Sequence, residues 1–378
     1  MVQKRSWRSR RAFAAYTNCF LLVHLILTLY REKEILPNTT TQIDAIPSIY
    51  KRTHNVLENL VIPPRDLEQI YNRSILLTSK TEPKNSSRVV TLTFANSNYF
   101  GKRFVQNLVC SFHRSNVTNW VVVVMDQRAA SQARRVNITH VHFDREYWSD
   151  VKPGRLRDST TVTTDYARMI QLRTNFIRTL LHRYKDLDIV TTDGDTTLTT
   201  RPWETIPFGR GDTNCSVFLG NSLELGASTT LTKKFSPSCG FMMIHNSGAT
   251  RKLYDAWFED EISTGEKEQK SLSRVLRRIN HDVTIKQLSW NQTHPWDQDK
   301  LHLCVLDRRR FPEYKYVFKR RYMTRHGSLD NVVLFHPNSG DKGRKKVHLF
   351  RSVGQWLLDK GSCPFSRQGE NKLDEHRS

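Results

Sequence analysis

The stretch "LDIVTTDGDTT", residues 187–197, decides the fold class of this chain. Five of its first six residues are apolar or β-branched, as in a strand that is buried on both faces. The pattern ends at Asp193-Gly194-Asp195, where glycine permits a sharp bend of the backbone. Two carboxylates one residue apart at a strand end are able to face one divalent ion. The same letters also describe an acidic surface turn, so the surrounding sequence has to distinguish the two.

Strand patterns alternate with helix patterns before that stretch. Strands are predicted at 88–95, 120–125 and 140–143, and helices near 103–113 and over 165–184. The last helix carries an apolar face at steps of three and four, formed by Met169, Leu172, Phe176 and Leu180. This alternation predicts an α/β fold with a mixed, mostly parallel sheet flanked by helices. In open α/β sheets ligands bind at the carboxyl ends of strands, which is where Asp193 and Asp195 fall.

The N-terminus has the pattern of a membrane anchor. Residues 1–11 carry five positive charges and no acid, and the mostly apolar run 12–30 follows them. A run of this length is just able to span a bilayer as a helix, and the basic block places the N-terminus in the cytosol. A cleaved signal peptide and a buried helix are the alternatives, but no small-residue cleavage pattern follows the run. We therefore predict a single-pass type II signal anchor.

The rest of the chain is divided by composition. A lumenal stem is predicted at 31–86, a catalytic domain at 87–360 and a C-terminal tail at 361–378, after a cytosolic tail at 1–11. Seven N-glycosylation sequons follow the anchor, at Asn38, Asn72, Asn85, Asn116, Asn137, Asn214 and Asn291. Sequons have meaning only in the secretory lumen, so their placement favours a lumenal domain in the Golgi.

Charge and cysteine content narrow the function classes. The net charge of +22 attracts polyanions, and a lumenal location favours sugar nucleotides or acidic glycans over nucleic acid. A solvated basic surface is the alternative. Five cysteines follow the anchor, so at least one is unpaired within the chain, and no Cys/His spacing suits zinc.

Three later segments carry a resemblance to a known family. They are "SCGFMMIHNSGATRKLYDAWF" (238–258), a buried strand that leads into a helix; "WDQDKLH" (296–302), with acids at a helix start; and "VLFHPNSGDKGRKKVHLFRSVGQWL" (333–357), with His336 just after an apolar strand. Together with the D-x-D pair they resemble the nucleotide-diphospho-sugar transferases, which include plant cell-wall xylosyl- and arabinosyltransferases. The resemblance extends from about residue 88 to residue 358, with Pro337 in place of an asparagine of the family pattern.

The resemblance implies a GT-A-like domain that transfers a sugar, from a UDP-sugar, with retention of configuration. It assigns Asp193, Asp195 and His336 as ligands of Mn²⁺ (or Mg²⁺), and Gln298 with Asp297 as the pair beneath the donor sugar. Ala95, Asn96 and Asp126 are predicted to contact the nucleotide from their type and their position at the carboxyl ends of the first strands. Arg173, on the helix before the D-x-D pair, either reaches phosphate or is an exposed arginine. The other predicted donor-binding residues are Gly194, Asn338, Lys342, Gly343 and Lys346. The acceptor is expected to be a glycan or a glycoprotein.

Two other functions fit the same topology and charge. A Golgi sulfotransferase needs a Ser/Thr- and Gly-containing phosphosulfate loop after its first strand, where this chain has "FANSNYFGKR" (94–103). A non-catalytic membrane glycoprotein with a basic glycan-binding face would tolerate loss of the D-x-D pair and of Gln298.

Overall fold

A computed structural model describes the part of the chain that carries the sheet and its helices. The described residues are 64–77, 86–142, 164–206, 215–221, 237–264, 268–279, 283–287, 301–307, 309–312, 331–337, 343–358 and 362–365. All of them belong to one structural unit, which spans residues 54–378. The predicted anchor at 12–30 and most of the predicted stem lie outside the described residues.

The strands follow the apolar patterns of the sequence. They are β1 (Ile75–Leu77), β2 (Ser87–Ala95), β3 (Trp120–Val124), β4 (His140–His142), β5 (Leu187–Asp193), β6 (Thr197–Leu198), β7 (Val217–Asn221), β8 (Pro237–Ile244), β9 (Val283–Gln287), β10 (Leu301–Val305) and β11 (Leu334–Phe335). The described helices are α1 (Pro64–Asn72), α2 (Ser97–Gly101), α3 (Phe104–Arg114), α4 (Gln127–Arg135), α5 (Thr164–Arg183), α6 (Pro202–Thr205), α7 (Gly248–Thr264), α8 (Glu268–Arg278) and α9 (Gly343–Ser352).

Nine of these strands form one mixed sheet. Its order is β4-β3-β2-β5-β8-β7-β10-β9, with β1 paired to β2 outside this path. The pairs from β4 to β5 and from β7 to β9 are parallel, whereas β8 is antiparallel to both of its neighbours. The predicted mixed, mostly parallel α/β sheet is therefore confirmed. Because β8 runs backwards, its first residues lie at the same sheet edge as the last residues of β2, β3 and β5.

Both faces of the sheet are covered, which explains why its strands are almost continuously apolar. Strand β2 alternates between the two cores: Val90 and Leu92 face α5, α7 and α8, and Val89 and Ala95 face α3 and α4. On the predicted face of α5, Leu172, Phe176 and Leu180 are fully buried. The side chain of Met169 lies outside the described residues.

Two expectations from the sequence are corrected. The stem was expected to continue to residue 86, but α1 buries Leu67 and Ile70 in the core and β1 pairs with β2. A helix start was expected at 296–302, but Leu301 and His302 belong to strand β10. The alternation of residues 301–305, with leucine or valine at every second position, is the period of a strand that lies inside the sheet.

Disulfide bonds tie distant parts of the described chain together. Cys110 of α3 is bonded to Cys363, and Cys215 before β7 is bonded to Cys304 of β10. Cys239 is buried and free, as the odd number of cysteines required. The first bond attaches the start of the predicted C-terminal tail to the domain.

No helix among the described residues has the length and the apolar composition needed to cross a membrane.

Candidate metal centre

The D-x-D pair lies in a turn that connects β5 to the short strand β6. Thr196 closes this turn, because its Oγ1 donates to the carbonyl oxygen of Asp193 at 2.9 Å and lies 2.6 Å from Oγ1 of Thr192. Asp195 is only 2% exposed, whereas the side chain of Asp193 is 30% exposed. The pair is therefore not a solvated acidic turn: one of its carboxylates is inside the protein.

A second small sheet carries His336 to this turn. Strand β11 pairs antiparallel with β6, with Leu334 opposite Leu198 and Phe335 opposite Thr197. His336 is the next residue along the chain, so it lies beside the end of the D-x-D turn. More than 130 residues separate these partners in the sequence, and the pairing of β6 with β11 brings them together.

Three ligand atoms converge as a result. Nε2 of His336 lies 3.6 Å from Oδ2 of Asp193 and 3.7 Å from Oδ1 of Asp195, and all three atoms are within 4.8 Å of one another. The predicted proximity of His336 to the acidic pair is thus found in the structure. Such a separation leaves room between the atoms for one small cation.

Gly240 makes space for the imidazole. It lies in β8, whose residue Phe241 pairs with Thr192, so Gly240 is next to Asp193 at the sheet edge. A Cβ at this position would be 2.2 Å from Cε1 of His336 and 3.1 Å from Oδ2 of Asp193. Real Cβ atoms do not approach another atom to 2.2 Å, so any side chain here would displace the histidine.

Asp195 combines one satisfied oxygen with one that has no donor. Its Oδ2 forms an ion pair with Nζ of Lys346. Among the described residues, no hydrogen-bond donor reaches its buried Oδ1. Burial by itself would raise the pKa of Asp195, but Lys346 and His336 hold that pKa well below its ordinary value. The carboxylate is therefore ionised, and Oδ1 is a buried negative acceptor turned toward His336.

These residues fit a divalent ion of the manganese or magnesium type. Two carboxylates and one imidazole form a donor set that suits Mn²⁺, and a buried acceptor without a donor is costly unless a cation is nearby. The metal role of Asp193, Asp195 and His336 remains a proposal, which is developed below.

Helix α9 brings Lys346 to the site and is anchored to α3. Phe350 of α9 packs with Phe104 and Phe335 in a separate small core. Asn107 of α3 binds the segment that follows α9. Its side chain donates to the carbonyl oxygen of Gln355 at 3.1 Å and accepts from the backbone N–H of residue 357 at 2.7 Å. Lys346 was expected to contact donor phosphate, but in the structure its ammonium contacts Asp195.

The sequence left two alternatives for Arg173, a contact with donor phosphate or an exposed position on α5. Arg173 is instead 8% exposed, and its Nη1 donates to Oδ1 of Asp193 at 3.0 Å. The same nitrogen lies 3.5 Å from Oε1 of Glu268, and Nη2 donates to the carbonyl oxygen of Cys239 at 2.8 Å. Its contacts position Asp193, because they leave Oδ2 of that residue turned toward His336.

Burial acts on the pKa values of Arg173 and Glu268, the two charged residues next to Asp193. Burial alone would lower the pKa of Arg173, but Glu268 and Asp193 raise it, so the guanidinium stays protonated. Burial raises the pKa of Glu268 to about 7, although Arg173 acts in the opposite direction. Sequence reasoning did not find Glu268, because a glutamate at the start of a polar helix resembles any exposed acid.

The expected nucleotide contacts lie at the carboxyl ends of β2 and β3. Oδ1 of Asn96 accepts from the N–H groups of Asn98 and Tyr99 at the start of α2. Asp126 caps α4 through Ala129 at 2.7 Å, and its other oxygen accepts from the N–H of Ser97 at 2.7 Å. Both side chains thus shape this sheet edge through local hydrogen bonds, and their contact with a nucleotide stays a prediction. Ala95, the last residue of β2, is buried.

Gly194 is in contact with α2. A Cβ on Gly194 would lie 2.9 Å from Cδ1 of Tyr99, so the aromatic ring packs directly over the D-x-D turn. Gly343 is the first residue of α9. The predicted positions of Asp297, Gln298, Asn338 and Lys342 lie outside the described residues, and their roles stay predictions.

Gly240 also escaped the sequence analysis, although a signal for it exists. A single glycine inside a strand pattern often marks the close approach of another group, and "SCGFMMI" contains such a glycine. The identity of the approaching group, His336, depends on the pairing of two other strands.

The chain resembles proteins of known type. The family model for nucleotide-diphospho-sugar transferases matches residues 115–350. No curated protein matches the chain. Among solved structures, the apo form of the WbbM bifunctional glycosyltransferase is 12% identical, with a TM-score of 0.40, over 68% of this chain and 46% of WbbM.

Two further structures show similar values. The apo form of the glycosyltransferase GlyE of Streptococcus pneumoniae TIGR4 is 15% identical, with a TM-score of 0.41, over 76% of this chain and 63% of GlyE. Mouse xyloside xylosyltransferase 1, in its apo form, is 11% identical, with a TM-score of 0.38, over 67% of this chain and 99% of the mouse chain. The chain thus spans less than half of WbbM and under two thirds of GlyE.

Proposed function

The chain belongs to the nucleotide-diphospho-sugar transferase family, and we propose that it transfers a sugar from a UDP-sugar to a glycan or glycoprotein acceptor with retention and Mn²⁺ dependence. Family membership makes it a nucleotide-sugar-dependent glycosyltransferase. The observation that carries the finer proposal is the convergence of Asp193, Asp195 and His336 around a buried carboxylate oxygen that has no donor among the described residues.

Each residue of the proposed centre has a defined part. Oδ2 of Asp193, Oδ1 of Asp195 and Nε2 of His336 would hold the ion, which when bound neutralises the diphosphate of the donor. Arg173 fixes the orientation of Asp193 through the contact at 3.0 Å. Gly240 gives His336 the space in which its ring faces the carboxylates. Lys346 places a second positive charge beside Asp195, at the side from which α9 approaches.

The stereochemical proposal rests on the resemblance of "DQD" (297–299) to the segment beneath the donor sugar in retaining transferases. An amide is a weak nucleophile, so a covalent intermediate on Gln298 is chemically unattractive. A reaction on one face of the sugar, in which the leaving diphosphate helps to deprotonate the acceptor hydroxyl, needs the protein only to orient both partners and to stabilise charge.

We propose the Golgi lumen as the compartment, with residues 12–30 as a type II anchor. This proposal rests on the basic and apolar N-terminal pattern and on the sequons. Asn72, Asn116 and Asn137 are the three sequon asparagines within the described residues, and all three are exposed. Asn72 is the last residue of α1, and Asn116 and Asn137 each lie two residues after the end of a helix, where a glycan can be attached without disturbing the core.

Donor hydrolysis and transfer would test the activity directly. Full-length protein purified in detergent is mixed with UDP-xylose, UDP-galactose and UDP-arabinose, with either Mn²⁺ or a chelator, and released UDP is measured. We expect release with at least one donor, and we expect the chelator to abolish it. If no nucleotide sugar released UDP in the presence of Mn²⁺, the result would contradict the proposal.

The same preparation addresses the sulfotransferase alternative, which family membership already disfavours. UDP should raise the thermal unfolding temperature in the presence of Mn²⁺ and not in its absence, because the ion links the diphosphate to the acidic pair. Adenosine 3′,5′-bisphosphate, the nucleotide product of sulfotransfer, should leave that temperature unchanged. A shift with the bisphosphate alone would favour the sulfotransferase.

A further inference from the structure

A buried charge pair lies directly behind the candidate metal centre. The guanidinium of Arg173 contacts two carboxylates through one nitrogen: Oδ1 of Asp193 at 3.0 Å and Oε1 of Glu268 at 3.5 Å. The other terminal nitrogen, Nη2, donates to Oγ1 of Thr191 at 3.5 Å and to the carbonyl oxygen of Cys239 at 2.8 Å. These contacts with the sheet fix the orientation of the guanidinium, so it cannot turn freely toward either carboxylate.

Glu268 has no direct contact with the proposed ligands. It is the first residue of α8, it is 8% exposed, and α8 packs against β8. The titratable groups that face it are Arg173 from α5, Asp193 from β5, Cys239 from β8, and Tyr254 and Glu261 from α7. Arg173 is the only cation in this set.

Burial favours the neutral form of the other members of the set. It raises the pKa of the Cys239 thiol, the Tyr254 hydroxyl and the Glu261 carboxyl well above their ordinary values. Above the pKa of Glu268, which burial raises to about 7, the charge balance behind the centre involves one guanidinium and two carboxylates. The negative charge of Glu268 then offsets part of the positive potential that Arg173 creates at Asp193.

We propose that Glu268 is a positioning residue that sets the ion affinity of the centre through Arg173. Its carboxylate lies beside the guanidinium at 3.5 Å and offsets part of the positive potential that Arg173 exerts at Asp193. Oδ2 of Asp193 then faces His336 with its negative charge available to a divalent ion. Without a negative charge at residue 268, Arg173 neutralises Asp193 more completely and repels the ion more strongly. This inference rests on the proposed metal centre.

Mn²⁺ binding to the full-length protein tests this, without any sugar nucleotide. Electron paramagnetic resonance measures the free Mn²⁺ during a titration at about pH 8, above the pKa of about 7 of Glu268, and gives the dissociation constant. We expect Glu268→Gln, which keeps the shape and removes the charge, to weaken binding about three- to tenfold. Glu268→Asp keeps the charge and should restore most of the affinity. Glu259→Gln makes the same charge change at an exposed position of α7 and should leave the affinity unchanged.

Glu268→Ser gives a second neutral variant if the glutamine variant does not fold, since serine is favourable at a helix start. It should weaken binding as much as glutamine does. A Glu268→Gln or Glu268→Ser protein that binds Mn²⁺ as tightly as the wild type would overturn the inference. So would a Glu268→Asp protein that binds as weakly as the neutral variants, because shape rather than charge would then matter. A wild type that binds no Mn²⁺ overturns the proposed centre and this inference together, whereas equal affinities overturn this inference alone.

Discussion

A buried aspartate faces a histidine near each end of strand β5, Asp188 within the strand and Asp195 two residues beyond it, and the two pairs differ in their hydrogen-bond donors. At the beginning, Oδ2 of Asp188 faces Nδ1 of His245 at 3.1 Å, and its Oδ1 accepts from the N–H of Asn246 at 2.9 Å. At the other end, Asp195 has Lys346 on one oxygen, and no described donor reaches the other. Both aspartates are almost completely buried.

The surroundings of the first pair are closed. The side chain of Asn246 donates to the carbonyl oxygens of Leu181 and Tyr184, at 2.8 Å and 2.7 Å, and accepts from Arg251 at 2.7 Å. Acceptors and donors match in number around Asp188, as expected of a structural pair. Around Asp195 the acceptors exceed the donors. The comparison indicates that the number of hydrogen-bond donors relative to carboxylate acceptors, rather than the residue types, distinguishes an ion site from a structural contact.

The sharpest way to break this comparison is to neutralise each aspartate in turn. Asp195→Asn should weaken Mn²⁺ binding and sugar transfer by about a hundredfold or more, because it removes a charged ligand. Its free energy of unfolding without ions should also fall, because the partly buried ammonium of Lys346 loses its ionised partner.

Asp188→Asn serves as the matched control. It should lower the free energy of unfolding by about 2 kcal/mol, because the buried pair loses its charge, and it should leave Mn²⁺ affinity unchanged. Titration and chemical unfolding of both variants measure the two effects. If the two variants behaved alike, the distinction between the ends of β5 would be lost.

A smaller effect is expected from filling the space beside His336. Gly240→Ala places a methyl group within 2.2 Å of the imidazole, so the ring has to move away from the carboxylates. We expect Mn²⁺ affinity to fall about tenfold or more while the secondary structure is retained, as measured by titration and circular dichroism. Gly101→Ala is the control, because a Cβ at Gly101 meets no atom within 4 Å. Unchanged affinity in Gly240→Ala would show that the ring position is unimportant for the ion.

The smallest effect concerns pH and the first pair. Burial alone would lower the pKa of His245, but Asp188 raises it above its ordinary value. The charged imidazole therefore stabilises the folded state fully below the unfolded pKa of about 6.5, and this contribution is lost as the pH rises through the folded pKa.

Because the His245 side chain is 34% exposed, the contribution should not exceed about 1 kcal/mol. The advantage of the wild type over His245→Gln in free energy of unfolding should shrink from about pH 6 to about pH 8. Chemical unfolding at both pH values measures it, and Mn²⁺ affinity should be equal in the two proteins at each pH. An advantage that stays constant with pH would contradict the role assigned to the charged imidazole.

Local sequence patterns were sufficient for most of the fold. The apolar runs of β2, β3 and β5 and the apolar face of α5 were predicted almost to the residue, because a buried strand and an amphipathic helix each leave a signature within a short window. The helix start expected at 296–302 was wrong for residues 301 and 302, which belong to strand β10. Acids that precede an alternating apolar pattern resemble a helix start. The packing of α1 on the core was also missed, because a short helix in a polar segment resembles a stem.

The candidate site was predictable only in part. The acidic pair could be placed at the carboxyl end of a strand from the sequence, and His336 was assigned to it by resemblance to a family. The burial of Arg173 could not be foreseen, because an arginine on a helix is usually exposed and only the packing of α5 over Phe94 and Cys239 turns it inward.

The sequence by itself determined the strands β2 to β5, the helices α3 and α5, the position of the D-x-D turn and the single unpaired cysteine among the five that follow residue 30. Each of these depends on neighbouring residues or on a count. The tertiary structure decided which oxygen of Asp195 remains without a described donor, that Gly240 admits the ring of His336, and that Glu268 shares Arg173 with Asp193. The physical reason is that these contacts form only where β8, the strand pair β6 and β11, and helix α8 come together at one sheet edge. Residues that are far apart in the sequence leave no local pattern that would predict such contacts.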